Sequence, residues 1–418
     1  MNDRNQIPFA AKLGSLGAEP PLSETAAMIL ESLERYAVDV MRPVGAALDR
    51  MTPEEVIAPG SPYWDARRKF VELGFGVEAL LGFEPEERGK MMCLLFETMG
   101  WGDSGLAISF GAGMLPQYMC AVLGRDDLLQ QYPDAVLGCW GITEPDHGSD
   151  MLDPNRMIFH PQGQYGRPNC AARIDGDEVV VNGQKSAWVS NGTIADVCVL
   201  YCATDTGSGF DAQRGCVVIV PMDAPGVSRG KALDKLGQRA LNQGEIYFDN
   251  VRVPRSHLLA GPDEFQDAVK VIHTAANGLM GATFTGVARA AYELALDYAH
   301  ERKQGGAPII RHQSVAYRLF HMFRKVEAAR ALTNRVVHYN FVTPTPALHA
   351  AMTAKVTATQ SAFEVASDAL QIFGGNGLTR EYPVEKLLRD ARASLIEDGC
   401  NEILAIKGGY YLIDPDRL

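Results

Sequence analysis

A chain of 418 residues, 46% hydrophobic and 22% charged, has the make-up of a globular protein of two or three domains with room for large cores. A formal net charge of −12 without a dense lysine or arginine block excludes nucleic acid as a partner. Eight cysteines without a CxxC pair and nine dispersed histidines suggest reduced, mostly buried thiols and no metal site.

Residues 1–22 lack the basic start and apolar run of a signal peptide, and no stretch reaches the length of a membrane span, so a cytoplasmic protein is expected. The first third reads helical. Leu22 to Ala47, Trp64 to Leu73, Glu87 to Met99 and Asp103 to Leu123 carry apolar residues at three- and four-residue spacing. Asp103 reads as a helix N-cap, with a minor claim as a catalytic carboxylate.

Near Leu137 the period changes. Glu178 to Val181, Asp196 to Cys202, Cys216 to Val220 and Glu245 to Val253 are short β-branched and aromatic runs. Asp175-Gly-Asp177 and Asn182-Gly183 fit hairpin turns. Met151 to Pro168, with three prolines and two glycines, reads as an exposed insertion. Long helical patterns then return in Ala275 to Arg302, Gln313 to Tyr339 and Met352 to Phe373. The predicted fold class is α+β and multidomain: an all-α domain (1–137), a middle β-sandwich or barrel domain (138–255) and a C-terminal four-helix bundle (256–418).

Five motifs carry candidate chemistry. Gly138-Cys-Trp-Gly-Ile-Thr-Glu-Pro-Asp-His-Gly-Ser-Asp150 supplies the hydroxyls of Thr143 and Ser149 beside Gly148, suited to the polar edge of a ring system or simply to a capped turn. In Asn182-Gly-Gln-Lys-Ser-Ala-Trp-Val-Ser-Asn191, Trp188 and Ser190 are two apart and so on one face of a strand. They could wall a flavin or pack as sheet residues. Lys235-Leu-Gly-Gln-Arg239 is a loop. Arg302, ending a long helix near Arg311-His-Gln313, could satisfy its own helix or a pyrophosphate. Gln371-Ile-Phe-Gly-Gly-Asn-Gly377 ends the last long helix, followed by Ile396-Glu-Asp-Gly-Cys-Asn-Glu402 with its acids beside a glycine.

These motifs, in this order, resemble the acyl-CoA dehydrogenase family over essentially the whole chain, most strongly across Asp368 to Arg392. The resemblance implies FAD as cofactor, a homotetramer, an acyl-CoA or acyl-carrier-protein thioester as substrate and electron-transfer flavoprotein as acceptor. It places Trp140, Ile142 and Thr143 at the isoalloxazine and Trp188 with Ser190 on its other side. Arg302, Gln313, Gln371, Gly374 and Gly375 would hold the pyrophosphate and adenine half, partly across a subunit interface, with Cys400 and Glu402 also on the cofactor side. Ser149, Asn277 and Gly399 fall at substrate-facing positions.

The family reaction removes an α-proton with a carboxylate while the β-hydrogen leaves as hydride to flavin N5. The developing enolate is stabilised by a ribityl hydroxyl and the backbone N–H of the base. The base position, counted from Arg389-Asp390, is Asp398, where the family has glutamate. Aspartate is shorter by about 1.5 Å of bond length, and a misplacement near 1 Å costs roughly 10²-fold in rate. Glu397 is the alternative, disfavoured if the segment is extended, because neighbours then point to opposite faces. The family's second base position holds Ala276. Asn277 stands for the usual arginine, Gly305 for a phenylalanine and Cys400 for a threonine. Two other readings stay open: altered chemistry on the same fold (oxygen-using, or an unusual elimination), and a non-catalytic subunit or acyl-carrier binding partner in a hetero-oligomer.

Overall fold

The computed structural model describes residues 22–152, 166–205, 207 and 209–414. Most of the expected insertion, residues 153–165, and nearly all of the N-terminal segment lie outside these. The N-terminal part is helical, as the periodicity predicts. A helix α1 (Glu24–Tyr36) runs through a π-turn (Ala37–Met41) into α2 (Arg42–Leu48). The ladder changes where Pro43, lacking an N–H, cannot continue i→i−4 bonding. Then come α3 (Pro53–Ile57), α4 (Pro62–Glu72), α5 (Val77–Leu81) and α6 (Pro85–Gly102). The helix expected over Asp103 to Leu123 is two, α7 (Ser104–Gly113) and α8 (Leu115–Val122), bent by 43° where Pro116 opens the second. A short α9 (Asp126–Gln131) follows. Asp103 caps α7, its Oδ1 accepting from the Leu106 N–H at 2.9 Å.

The middle part is an eight-stranded mixed sheet. Its strands are β1 (Gly138–Gly141), β2 (Cys170–Asp175), β3 (Glu178–Lys185), β4 (Val197–Asp205), β5 (Phe210–Pro221), β6 (Val227–Arg229), β7 (Ile246–Pro254) and β8 (Leu258–Ala260). The order is β6-β7-β3-β2-β4-β5-β8, with β1 added parallel to β4. Gly176 and Asp177 do turn the β2–β3 hairpin. Asn182-Gly183 does not turn; it sits inside β3 at a register shift against β7. Gly183 has φ +117°, and a Cβ there would lie 1.9 Å from Asn169 O, so the dipeptide makes a bulge under a close backbone contact.

The C-terminal part packs α10 (Phe265–Glu301), α11 (Gln313–Val342), α12 (Leu348–Phe373) and α13 (Val384–Ser394), with α14 (Asn401–Ile413) after the base-position turn. A β9–β10 hairpin (Lys303–Gln304, Ala307–Pro308) links α10 to α11. α10 starts ten residues before the expected Ala275 because Phe265, Ala268, Val269 and Ile272 already form its buried face. That face joins a core shared with β1, β4 and β5, while Met280 to Ala299 pack into the bundle core. α10 therefore ties the sheet to the bundle, and the space between them is the candidate site. No single described helix is long and apolar enough to cross a membrane.

Candidate functional site

A cavity of about 820 Å³ opens where α6, α7, β1, the loops of the sheet, α10 and the turn after α13 converge. That volume suits a large organic ligand. Its walls are mainly apolar, with Phe96, Ile108 and Leu115 on one side and Leu279 and Met280 on another.

Of the sequence-predicted residues, Trp140, Ile142, Thr143, Ser149, Trp188, Ser190, Asp398 and Gly399 all line this one cavity, although they come from three separate stretches. Trp188 is not on a strand but in a turn, and Ser190 makes an isolated bridge with Gln243. The Trp188 indole is 59% exposed, an unusual openness for a tryptophan on a cavity wall. Gln243 Nε2 donates to Trp188 O (3.2 Å) and to Ser190 Oγ (3.3 Å), and its Oε1 accepts from Lys235 Nζ at 2.9 Å. The KLGQR loop thus buttresses the Trp188 wall, a role the motif alone does not reveal. Burial pushes Lys235 down to about 8, against the pull of Glu397 and Asp390. Gly237 lets this loop touch α13; a Cβ there would lie 2.4 Å from Arg389 O.

The base-position segment is not extended. Leu395 to Asp398 form a turn, and Asp398 has φ +52°, the left-handed region. The opposite-faces argument against Glu397 therefore fails, and both carboxylate residues line the cavity. Three consecutive backbone groups of the turn are held from elsewhere in the fold. Asn277 Nδ2 donates to Asp398 O at 3.4 Å, Lys355 Nζ donates to Gly399 O at 2.8 Å, and the Cys400 N–H donates to Ser149 Oγ at 3.1 Å. Lys355 also donates to Asn401 Oδ1 at 2.8 Å and has no solvent exposure.

Burial raises the Asp398 carboxyl above its ordinary value, opposed by the Lys355 ammonium. Burial, reinforced by Asp398, pushes Glu397 up to about 7 although Gln238 Nε2 donates to its Oε1 at 2.6 Å. Lys355 is itself pushed down to about 8 by burial, against Asp398 and Glu397. Asp103 lies outside the cavity lining, with its Oδ2 accepting from Lys386 Nζ at 2.7 Å.

The other predicted residues do not reach this cavity. Asn277 lies beneath the turn and Cys400 opens α14, with Glu402 exposed in its first turn. Arg302, Gln313, Gln371, Gly374 and Gly375 sit where α10 ends, α11 begins and α12 ends, at a joint closed by Tyr298 stacked on Phe373 at 3.9 Å. Arg302 is 25 residues beyond Asn277, about 37 Å along the helix at ~1.5 Å per residue. Sequence reasoning missed Lys355 and His273. Each left a trace: Lys355 shares a helix face with Met352 and Thr359, and His273 stands four residues after Val269 in an apolar run.

Comparison with known proteins agrees with this architecture. The profile of the acyl-CoA dehydrogenase middle domain matches residues 139–251, and that of the acyl-CoA dehydrogenase C-terminal domain matches residues 275–407. The short-chain specific acyl-CoA dehydrogenase of Bos taurus mitochondria is 34% identical over 411 residues, covering 95% of this chain and 92% of its own. The benzylmalonyl-CoA dehydrogenase of Aromatoleum aromaticum is 31% identical, covering 84% and 93%. The butyryl-CoA dehydrogenase structure from Megasphaera elsdenii shares the fold, with a TM-score of 0.81 at 24% identity over 95% of this chain and 100% of that one. The chain belongs to the acyl-CoA dehydrogenase family of FAD-dependent oxidoreductases.

Proposed function

We propose that this acyl-CoA dehydrogenase uses Asp398 as the base that removes the α-proton of a thioester bound in the 820 Å³ cavity. The observation that carries the reading is the pinned turn. Asp398 lines the cavity at a left-handed bend whose next carbonyls and N–H are fixed by Asn277, Lys355 and Ser149. A base must be held to within fractions of an ångström of its proton, and three anchors on consecutive residues serve that need.

The residues present fit a flavin. An exposed indole at Trp188, hydroxyls at Thr143 and Ser190, and a buried Trp140 Nε1 without a partner among the described residues suit a planar ring with polar edges. When bound, FAD supplies the two-electron acceptor for the β-hydrogen. Asp398 takes the α-proton, the Cα–H electron pair becomes the second Cα=Cβ bond, and the apolar walls keep water from the carboxylate. Burial raises its basicity while the Lys355 charge still lets it ionise. The distant group at Arg302, Gln313, Gln371, Gly374 and Gly375 lies too far along α10 to serve the same flavin, so in this reading it completes the site of a second copy of the chain, in a tetramer. Electron-transfer flavoprotein is the proposed acceptor.

One observation favours a second reading. Glu397 lines the same cavity, is longer, and titrates near 7. Anaerobic bleaching of the purified holoenzyme by a panel of straight, branched, cyclic and aromatic acyl-CoAs tests both. Asp398→Asn should retain FAD and lose bleaching, while Glu397→Gln retains both. Full bleaching by Asp398→Asn would overturn the assignment, and the reverse pattern would give the role to Glu397.

A further inference from the structure

One side chain of the cavity wall has no part in the chemistry above. His273, on α10 one turn before Asn277, lines the cavity and is 4% exposed. Neither of its ring nitrogens has a hydrogen-bond partner among the described residues. Its contact with Trp140, centroids 5.4 Å apart and planes at 60°, is edge-type packing that leaves both nitrogens unsatisfied. Burial, with a smaller push from Lys407, holds the ring neutral by bringing its pKa down to about 3. A neutral imidazole offers one donor and one acceptor. A buried polar group without a partner is costly, and native structures keep few of them without a use. The neighbouring lining residues Ala276, Leu279 and Met280 are apolar or small, and neither Trp140 Nε1 nor Asn277 Oδ1, one turn on, bonds the ring, so a ligand in the cavity can supply the missing partner.

We propose that His273 is a specificity-determining residue that hydrogen-bonds an uncharged polar group of the bound thioester: a hydroxyl or oxo group on the acyl chain, or an amide of the carrier arm. The inference rests on the reading that this cavity holds the acyl thioester. An uncharged group is assigned because the ring N–H can meet a carboxylate but supplies no counter-charge, so a carboxylate would be buried as an unpaired charge against the apolar lining at Ala276, Leu279 and Met280. A purely apolar acyl chain running past His273 would leave both nitrogens unsatisfied in the complex, whereas a hydroxyl can donate to the bare nitrogen or accept from the N–H and so relieves one of them.

The test compares wild type, His273→Leu and His273→Gln as holoenzymes. The substrates are a plain acyl-CoA, the same chain with a hydroxyl or oxo group placed from C4 outward, and the same chain with a terminal carboxylate. Free coenzyme A is measured as a competing ligand. Wild-type bleaching by the plain chain establishes the underlying reading independently. The expected result is that His273→Leu loses roughly 10- to 100-fold in kcat/KM on the hydroxylated or oxo chain relative to the plain one, mainly through KM, and that His273→Gln restores most of it. An equal loss on every chain, matched by weaker binding of free coenzyme A, also upholds the hydrogen bond and assigns it to the carrier arm. Unchanged constants throughout overturn the proposal. So does a loss confined to the carboxylated chain, or a variant whose only change is in FAD content or flavin spectrum. Should His273→Leu fail to fold, His273→Phe carries the same comparison.

Discussion

Lys355→Met separates what the buried ammonium does for stability from what it does for the base. In the structure its Nζ makes two hydrogen bonds of 2.8 Å, to Gly399 O and Asn401 Oδ1. Charge-assisted bonds of this kind contribute about 1.5–3 kcal/mol each. Against them stands the burial of the ammonium: a pKa brought from 10.5 to about 8 corresponds to about 3 kcal/mol in favour of the neutral amine. The opposing effects are similar in size, so the variant should lose no more than about 3 kcal/mol of stability. The catalytic effect should be larger. Methionine keeps the volume but leaves Gly399 O unpaired under the turn and Asn401 Oδ1 with only the 3.3 Å bond from Thr359 Oγ1, and a shift of the base near 1 Å costs roughly 10²-fold. Asp398 also loses the cation that opposes its raised pKa, so it titrates higher. The acidic limb of the rate profile, where activity rises as the base ionises, should therefore move to higher pH. Stopped-flow anaerobic bleaching between pH 5.5 and 9, paired with a thermal melt of the same FAD-loaded samples, reads both effects. A variant with wild-type bleaching rates and an unmoved limb would refute the reasoning, whatever its melting temperature.

Glu397 gives a stability prediction with a definite sign. Its folded-state pKa is raised from 4.5 to about 7, so between those values the folded chain holds a proton that the unfolded chain has released. That stabilisation is complete below the window and is lost as pH rises through 7. Glu397→Gln should flatten the fall of Tm over this range, and an unchanged slope would assign the raised pKa to another group. Lys386→Met strands two buried carboxylates, since Nζ bridges Asp103 Oδ2 at 2.7 Å and Asp390 Oδ2 at 2.6 Å. The expected cost is about 3–5 kcal/mol, read by denaturant unfolding, with much of it recovered when Asp103→Asn and Asp390→Asn are added.

The helix–sheet–helix order is legible in the sequence because period 3.6 and period 2 are local signals, carried by α6 and α10 as clearly as by β4 and β5. Local signals mislead where tertiary contact decides. Asn182-Gly183 has turn chemistry, yet the approach of Asn169 O and pairing on both sides of β3 make it a bulge. Trp188 and Ser190 have strand spacing, yet they lie where the chain leaves β3 and turns. In both places a two-residue pattern is overruled by backbone partners distant in sequence.

The candidate site is legible to a different depth. Motif residues such as Trp140, Thr143 and Ser149 fall on the cavity because they share one short segment. The forces on Asp398 are not readable in that way, since its turn is held by Asn277 from 121 residues away and its neighbour Cys400 by Ser149 from 251 residues away. These anchors bear on the shorter side chain. A turn fixed at Asp398 O, Gly399 O and the Cys400 N–H is not free to slide forward by the missing methylene. If Asp398 is the base, the thioester must instead seat closer to the turn than a glutamate would require. Base identity and acyl-group choice are then coupled through one geometry, since whatever draws the thioester toward the turn also shapes the space left for its chain.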